Sequence, residues 1–140
     1  KIAIPDNIIL NPLKLTNEEY EIMKKHTEIG FRIANSNSEL ASIAKGILSH
    51  HERWDGKGYP MGLEGKKIPI TARIVFIIDA YDAMTNDRPY RKAQSQEYAI
   101  KELLKYAGKQ FDPDLVGQFI NIITKEKTGS YNNKLKVLVK

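Results

Sequence analysis

The sequence predicts an all-α domain, a bundle of about five helices. Three observations carry this. Helix-start signals recur along the chain, apolar residues follow each at helical spacing, and no alternating strand pattern appears before residue 128. At 140 residues there is room for one core, and a hydrophobic content of 41% can fill it.

Taken in order, residues 1–15 contain Pro5-Asp6 and Asn11-Pro12, both turn signals, and read as loop. Thr16 with Glu19 is a capping-box pattern, and Ile22, His26, Ile29 and Ile33 follow at helical spacing. This puts His26 on the apolar stripe of a single helix. After a break at 35–38, Ser36 with Glu39 repeats the capping box, and Leu40, Ile43, Ala44, Ile47, Leu48 and His51 continue a second helix.

Residues 55–67 hold Gly56, Gly58, Gly62 and Gly65 and read as loop. Pro69 suits the first turn of a third helix, over about 69–84. It is apolar nearly all round (Ile70, Ala72, Ile74 to Ile78), which predicts a central, buried element. Asn86-Asp87-Arg88-Pro89 interrupts it. Ser95 caps a fourth helix that stops before Gly108, and Asp112-Pro113 opens a fifth carrying Leu115, Val116, Phe119, Ile122 and Ile123. Lys134 to Lys140 alternates lysine with apolar residues, as a short strand or a frayed tail would. A domain over 1–125 with a basic tail at 126–140 is the expected organisation.

Composition narrows the chemistry. There is no cysteine, so disulfides and thiolate metal sites are excluded and His and carboxylate remain as strong ligands. This is compatible with a cytoplasmic location. No apolar run is long enough to span a membrane. The net charge of +5 favours anionic partners, but the lysines are scattered without an arginine-rich patch, which argues against duplex DNA.

Two of the three histidines are adjacent, in His50-His51-Glu-Arg-Trp-Asp-Gly-Lys-Gly-Tyr-Pro60. Neighbouring helical residues point about 100° apart, so on a helix these rings suit two neighbouring ions better than one. A lone core histidine is usually structural. Here His26, His50 and His51 all flank apolar stripes, and Asp79 sits in the middle of the most apolar helix, where an unpartnered carboxylate is costly. Three imidazoles and one carboxylate suit iron, manganese or zinc. Asp82, three residues on, shares the face of Asp79 and is a candidate partner for a histidine or a catalytic water. Arg88, Arg91 and Lys92 form a candidate phosphate grip, although surface ion pairs would explain them as well. Trp54 reads as a packing anchor, while Tyr59, among small neighbours, could stack on a ligand.

Taken together these motifs resemble the HD-GYP domain, a branch of the HD phosphohydrolase superfamily. The likeness runs through Lys1-Ile-Ala-Ile-Pro-Asp6, His26-Thr-Glu-Ile-Gly30, the His50–Pro60 run, Ile68–Arg73, Asp79–Thr85, Asp87–Ala93 and Phe111-Asp-Pro113. The resemblance implies a helical metallo-phosphodiesterase that hydrolyses cyclic di-GMP to linear pGpG or GMP. It implies two or three divalent metals, iron before manganese or zinc, held by His26, His50, His51 and Asp79. It also implies substrate contacts from Gly58, Tyr59, Pro60, Arg88, Arg91 and Lys92, and catalytic roles for Lys1 and Asp82. GGDEF or receiver-type regulatory domains would be partners in the parent protein. Lys1 matches the end of the family's His-Asp-x-Gly-Lys motif, so the His-Asp pair is missing and the domain is expected to be truncated on its N-terminal side. Weak metal binding, little activity and a homodimer through uncovered apolar stripes follow as expectations. A non-catalytic nucleotide- or partner-binding module, or a phosphohydrolase for another substrate, are the alternatives.

Overall fold

In the computed structural model the residues described are 4–9, 13–88 and 91–138, with side chains described as far as 125. Lys1, expected to be catalytic, lies outside them. The described residues are helical, with isolated bridges such as Asp55 to Glu64 and no strand. Among the described residues there are seven α-helices: α1 (Asp6–Ile9), α2 (Asn17–Lys24), α3 (His26–Asn35), α4 (Ala44–Ser49), α5 (Ile70–Thr85), α6 (Gln96–Tyr106) and α7 (Pro113–Leu138). A 3₁₀ turn at Ala41–Ile43 leads into α4.

The difference from five helices has local causes. The turn signal at Pro5-Asp6 instead starts α1, whose Ile8 is buried, as is Ile4 before it. The predicted helix around His26 is two helices, parted at Lys25. The Thr16–Glu19 capping box forms both of its bonds, but the Ser36–Glu39 box does not. Ser36 Oγ donates back to Ile33 O, and Asn37 Oδ1 takes the Glu39 N–H, so a turn forms where a helix start was expected. No strand arises from the lysine alternation near the C-terminus, since α7 runs to Leu138.

The caps around α6 and α7 behave as predicted. Ser95 Oγ accepts from Tyr98 N. Gly108 follows α6 at φ +77°, a left-handed conformation that glycine adopts freely. Asp112 Oδ1 accepts from Asp114 and Leu115 N–H at the start of α7.

One core joins α5, α6 and α7, where Ile77, Leu103, Phe111 and Val116 are buried and Phe76, Tyr81 and Phe119 pack round them. On the other side α3 packs on α4, and α4 on α5. Helix α5 is therefore central in the order of packing, but it is not buried. Ala72 and Ile77 face inward, while Ile70, Ile74, Val75 and Ile78 are exposed. Its all-round apolarity reflects a second face that nothing in the described chain covers.

Beneath the glycine-rich loop a buried ion pair ties α5 to α7. Arg73 Nη1 meets Asp112 Oδ2 at 2.5 Å, with the Asp112 side chain only 3% exposed. The same guanidinium lies over the Trp54 ring, 5.9 Å from its centroid. Trp54 is thus a packing anchor, and its backbone N–H donates to Gln110 O, fastening the loop to the α6–α7 turn.

Candidate metal centre

The break at Lys25 positions the first histidine. Carbonyls at a helix end have no intrahelical partner. At the end of α2, Thr27 Oγ1 donates to Lys24 O and His26 Nδ1 contacts Met23 O at 2.6 Å. A carbonyl only accepts, so Nδ1–H is the donor and Nε2 is the ring nitrogen left to face the cluster.

Helix α4 repeats the device. It stops at Ser49, and His50 Nδ1 contacts Ile47 O at 2.6 Å. Because His51 follows in a turn, the 100° offset of a helix does not separate the neighbouring rings. Their centroids are 4.1 Å apart. His26 Nε2 and His50 Nε2 face each other at 3.3 Å. Among the described residues, His26, His50 and His51 bring one ring nitrogen each to within 4.8 Å of one another.

The loop after His51 folds back over the cluster. Tyr59 N–H donates to His51 O, and the Tyr59 ring stacks on the His51 ring, centroids 5.0 Å apart at 26°. This return path needs glycine at 58. A Cβ there would lie 2.3 Å from Arg53 N, 2.5 Å from Glu52 Cα and 2.6 Å from His51 O. Pro60 follows through a cis peptide bond. Burial, then the nearby Tyr20 and Asp79, push the Tyr59 phenol above its ordinary 10.0, so it stays protonated at neutral pH.

Two further side chains shape this loop. Glu52 is 2% exposed, and its two carboxylate oxygens accept from Met61 N at 2.7 Å and Leu63 N at 3.0 Å. Arg53 grips Asp55 with two nitrogens, at 3.0 and 2.7 Å. The Arg53 guanidinium holds the Asp55 carboxyl at about 2, below its ordinary 3.8. Sequence reasoning passed over Glu52. The one signal for it was an acidic residue directly after two candidate ligands and before a loop rich in unpaired backbone donors.

A cavity of about 530 Å³ opens above the imidazoles. His26, His50, His51, Tyr59, Asp79, Arg88 and Arg91 are among the residues that line it. Asp79 is exposed to this cavity, contrary to the buried carboxylate its apolar helix predicted, because that face of α5 is open. It lies outside the compact three-imidazole group. Asp82 does not line the cavity. It accepts from Asn86 Nδ2 at 2.6 Å and pairs with Arg88 Nη2 at 3.2 Å, so it steadies an arginine rather than a histidine. Arg88 and Arg91 exchange backbone hydrogen bonds, and Arg91 Nη2 donates to Ala83 O. Lys92 sits away from the cavity lining, 93% exposed and 3.6 Å from Asp87. Gly58 and Pro60 shape the loop, and Tyr59 alone of the three lines the cavity.

The donor set fits a divalent metal. Two Nε2 atoms face each other at 3.3 Å, and a cation bound at this point would draw on both. Nδ1–H tied to a carbonyl is how ligating imidazoles are oriented in general.

An all-helical domain that gathers three imidazoles in a cavity also lined by two arginines defines a class of metal-binding helical domain. The profile of the HD domain matches residues 1–115, and the chain belongs to that family, as a domain of the HD-GYP type. It is 47% identical over 136 residues to a cyclic di-GMP phosphodiesterase of Thermotoga maritima, covering 96% of this chain and 37% of that protein. It is 45% identical to a cyclic di-GMP phosphodiesterase response regulator of Xanthomonas campestris, covering 83% of this chain and 31% of that protein. It is 45% identical to a 3'3'-cGAMP-specific phosphodiesterase of Vibrio cholerae, covering 83% and 23% respectively. The chain thus spans about a third or less of the length of these relatives. The fold is similar to the crystal structure of a cyclic GMP-AMP specific phosphodiesterase of Vibrio cholerae, with TM-score 0.59 and 24% identity, over 82% of this chain and 27% of that one.

Proposed function

We propose that this domain is a metal-dependent phosphodiesterase that hydrolyses cyclic di-GMP to linear pGpG or GMP. The observation that carries the reading is the convergence of three ring nitrogens within 4.8 Å in a cavity that Arg88 and Arg91 also line. The names of the relatives support the substrate class.

In this reading His26, His50 and His51 hold the metal, with Asp79 as a further ligand from α5. Two or three divalent ions, iron in first place, then manganese or zinc, supply Lewis-acid charge stabilisation and acidify water. Backbone carbonyls at Met23 and Ile47 accept from the Nδ1–H groups of His26 and His50, which leaves their Nε2 atoms aimed inward. Arg88 and Arg91 grip the phosphate and offset charge that builds on its oxygens, and Asp82 steadies Arg88. Tyr59, protonated and packed on His51, keeps water from that side of the cluster. Lys92, exposed beside Asp87, acts at most on the approach of an anionic substrate.

Regulatory domains of the GGDEF or receiver type belong to the same reading, supported by the response regulator among the relatives. So does self-association, supported by the exposed Ile70, Ile74, Ile78 and Ile122. Among the described residues no helix is long and apolar enough to cross a membrane, and a cytoplasmic site of action suits a second-messenger substrate.

The test is to incubate the full-length protein with cyclic di-GMP and manganese or iron(II) and to separate the products by chromatography. Appearance of pGpG or GMP is the expected result. Intact substrate with metal-loaded protein would contradict the reading.

A further inference from the structure

Beside Tyr59, which lines the cavity, Tyr20 and Lys24 stand just outside its lining. Tyr20, on α2, stands edge-on to Tyr59, with ring centroids 6.2 Å apart at 78°. Lys24, one turn along the same helix, places Nζ 5.3 Å from the Tyr20 ring and 5.8 Å from the Tyr59 ring. Aromatic surface is therefore continuous from His51 through Tyr59 to Tyr20. Met23, on the same helix between Tyr20 and His26, lines the cavity itself. Yet Tyr20 is 47% exposed. A ring that only packed the loop would be better covered.

The cationic contacts for phosphate come from the other end of α5. A cyclic dinucleotide whose phosphate lies between the arginines and the imidazoles still has purines to place. A purine has a flat face for stacking and an edge for hydrogen bonding. Guanine offers two acceptors on one edge, O6 and N7, where adenine replaces O6 with an amino donor. An ammonium matches the first edge and opposes the second. Lys24 is held by Glu21 at 2.5 Å in a pair within a single helix, with the Lys24 side chain 26% and the Glu21 side chain 65% exposed. Such pairs contribute little and give way to a better partner.

We propose that Tyr20 and Lys24 form the nucleobase end of the site and take a guanine, Tyr20 by stacking and Lys24 by donating to O6 and N7. The proposal rests on the cyclic dinucleotide reading and supplies the selectivity that the metal centre lacks, because imidazoles and arginines treat all phosphodiesters alike.

The test compares two substrates of the full-length, metal-loaded protein: cyclic di-GMP and bis(p-nitrophenyl) phosphate, a diester without a purine. Tyr20→Ala should raise KM for cyclic di-GMP so that its loss exceeds the loss on the base-free diester by about 10-fold, within the range that base–aromatic stacking contributes. Tyr20→Phe should restore most of it. Lys24→Met should narrow the preference for cyclic di-GMP over cyclic di-AMP. Equal losses on both substrates would overturn the proposal, since they would mean that Tyr20 only supports Tyr59. No loss on either would overturn it too. Should the wild type cleave the base-free diester but no cyclic dinucleotide, the functional reading fails by itself. Saturation-transfer NMR on the H8 proton of GMP then decides the base site: a signal lost in Tyr20→Ala supports it, and a signal that is absent or unaffected overturns it.

Discussion

His26 and His50, 24 residues apart in sequence, face each other through Nε2 atoms 3.3 Å apart. Each ring spends its other nitrogen on a carbonyl at the end of the preceding helix, His26 on Met23 of α2 and His50 on Ile47 of α4. Two helix ends are thus used twice. The side chain satisfies an orphan carbonyl, and the carbonyl fixes the tautomer that a metal requires. Metal binding should therefore stabilise the folded state, because the unfolded chain offers no such pair. Added manganese or zinc is expected to raise Tm in wild type by several degrees, and His26→Ala should abolish most of that rise. Calorimetry with and without chelator is the check.

Glu52 predicts a stability effect at the loop. Removing its carboxylate leaves the Met61 and Leu63 N–H groups without their acceptor beside a fully buried position. Glu52→Ala should cost about 1–3 kcal/mol, seen as a lower urea midpoint at unchanged slope. A loss below a few tenths of a kcal/mol would show that water replaces the carboxylate.

Gly58→Ala tests the close approach of loop to helix end. With backbone atoms 2.3 to 2.6 Å from the new Cβ, the loop has to move and Tyr59 with it. Helical circular dichroism should persist while turnover falls at least about 10-fold, in keeping with the cost of misplacing groups at a site by about 1 Å.

The Asp55 carboxyl predicts an acid limb. Its folded value of about 2 lies below the ordinary 3.8, so the Arg53 contact stabilises the fold fully above about pH 4. That stabilisation disappears as pH falls from 3.8 towards 2. Asp55→Asn should melt below wild type at pH 5, and the two melts should converge near pH 2. A constant gap across that range would show the effect to be packing rather than charge.

The Arg73–Asp112 pair predicts the largest single loss. Arg73→Ala leaves a carboxylate that is 3% exposed without its partner. The expected cost is about 3–5 kcal/mol, read by denaturant unfolding.

Much of this was legible in the sequence, for particular physical reasons. Thr16, Ser95, Gly108 and Asp112-Pro113 act through local backbone chemistry, and each places a helix end where it was predicted. The histidines were legible because apolar spacing put them on inward faces. Ser36–Glu39 misled because Ser36 found the Ile33 carbonyl and Asn37 took the Glu39 N–H, a competition decided within one turn. The split at Lys25 was hidden because apolar spacing continues across it. Asp79 and the apolar shell of α5 misled in a different way. Composition records what a surface prefers to touch, and here one face of α5 remains open. Glu52 and Tyr20 were illegible because their partners, backbone donors in one case and a ring on another element in the other, are set by tertiary geometry.

The central claim is that the imidazole cluster holds the metal that hydrolyses a cyclic dinucleotide. The most direct measurement is cyclic di-GMP turnover by full-length protein stripped of metal and then titrated with manganese or iron(II), run beside His50→Ala. Turnover that is absent when stripped, returns in proportion to bound metal, and stays at least about 100-fold lower in His50→Ala is the predicted result. Turnover that survives stripping, or that His50→Ala recovers in full, would contradict it.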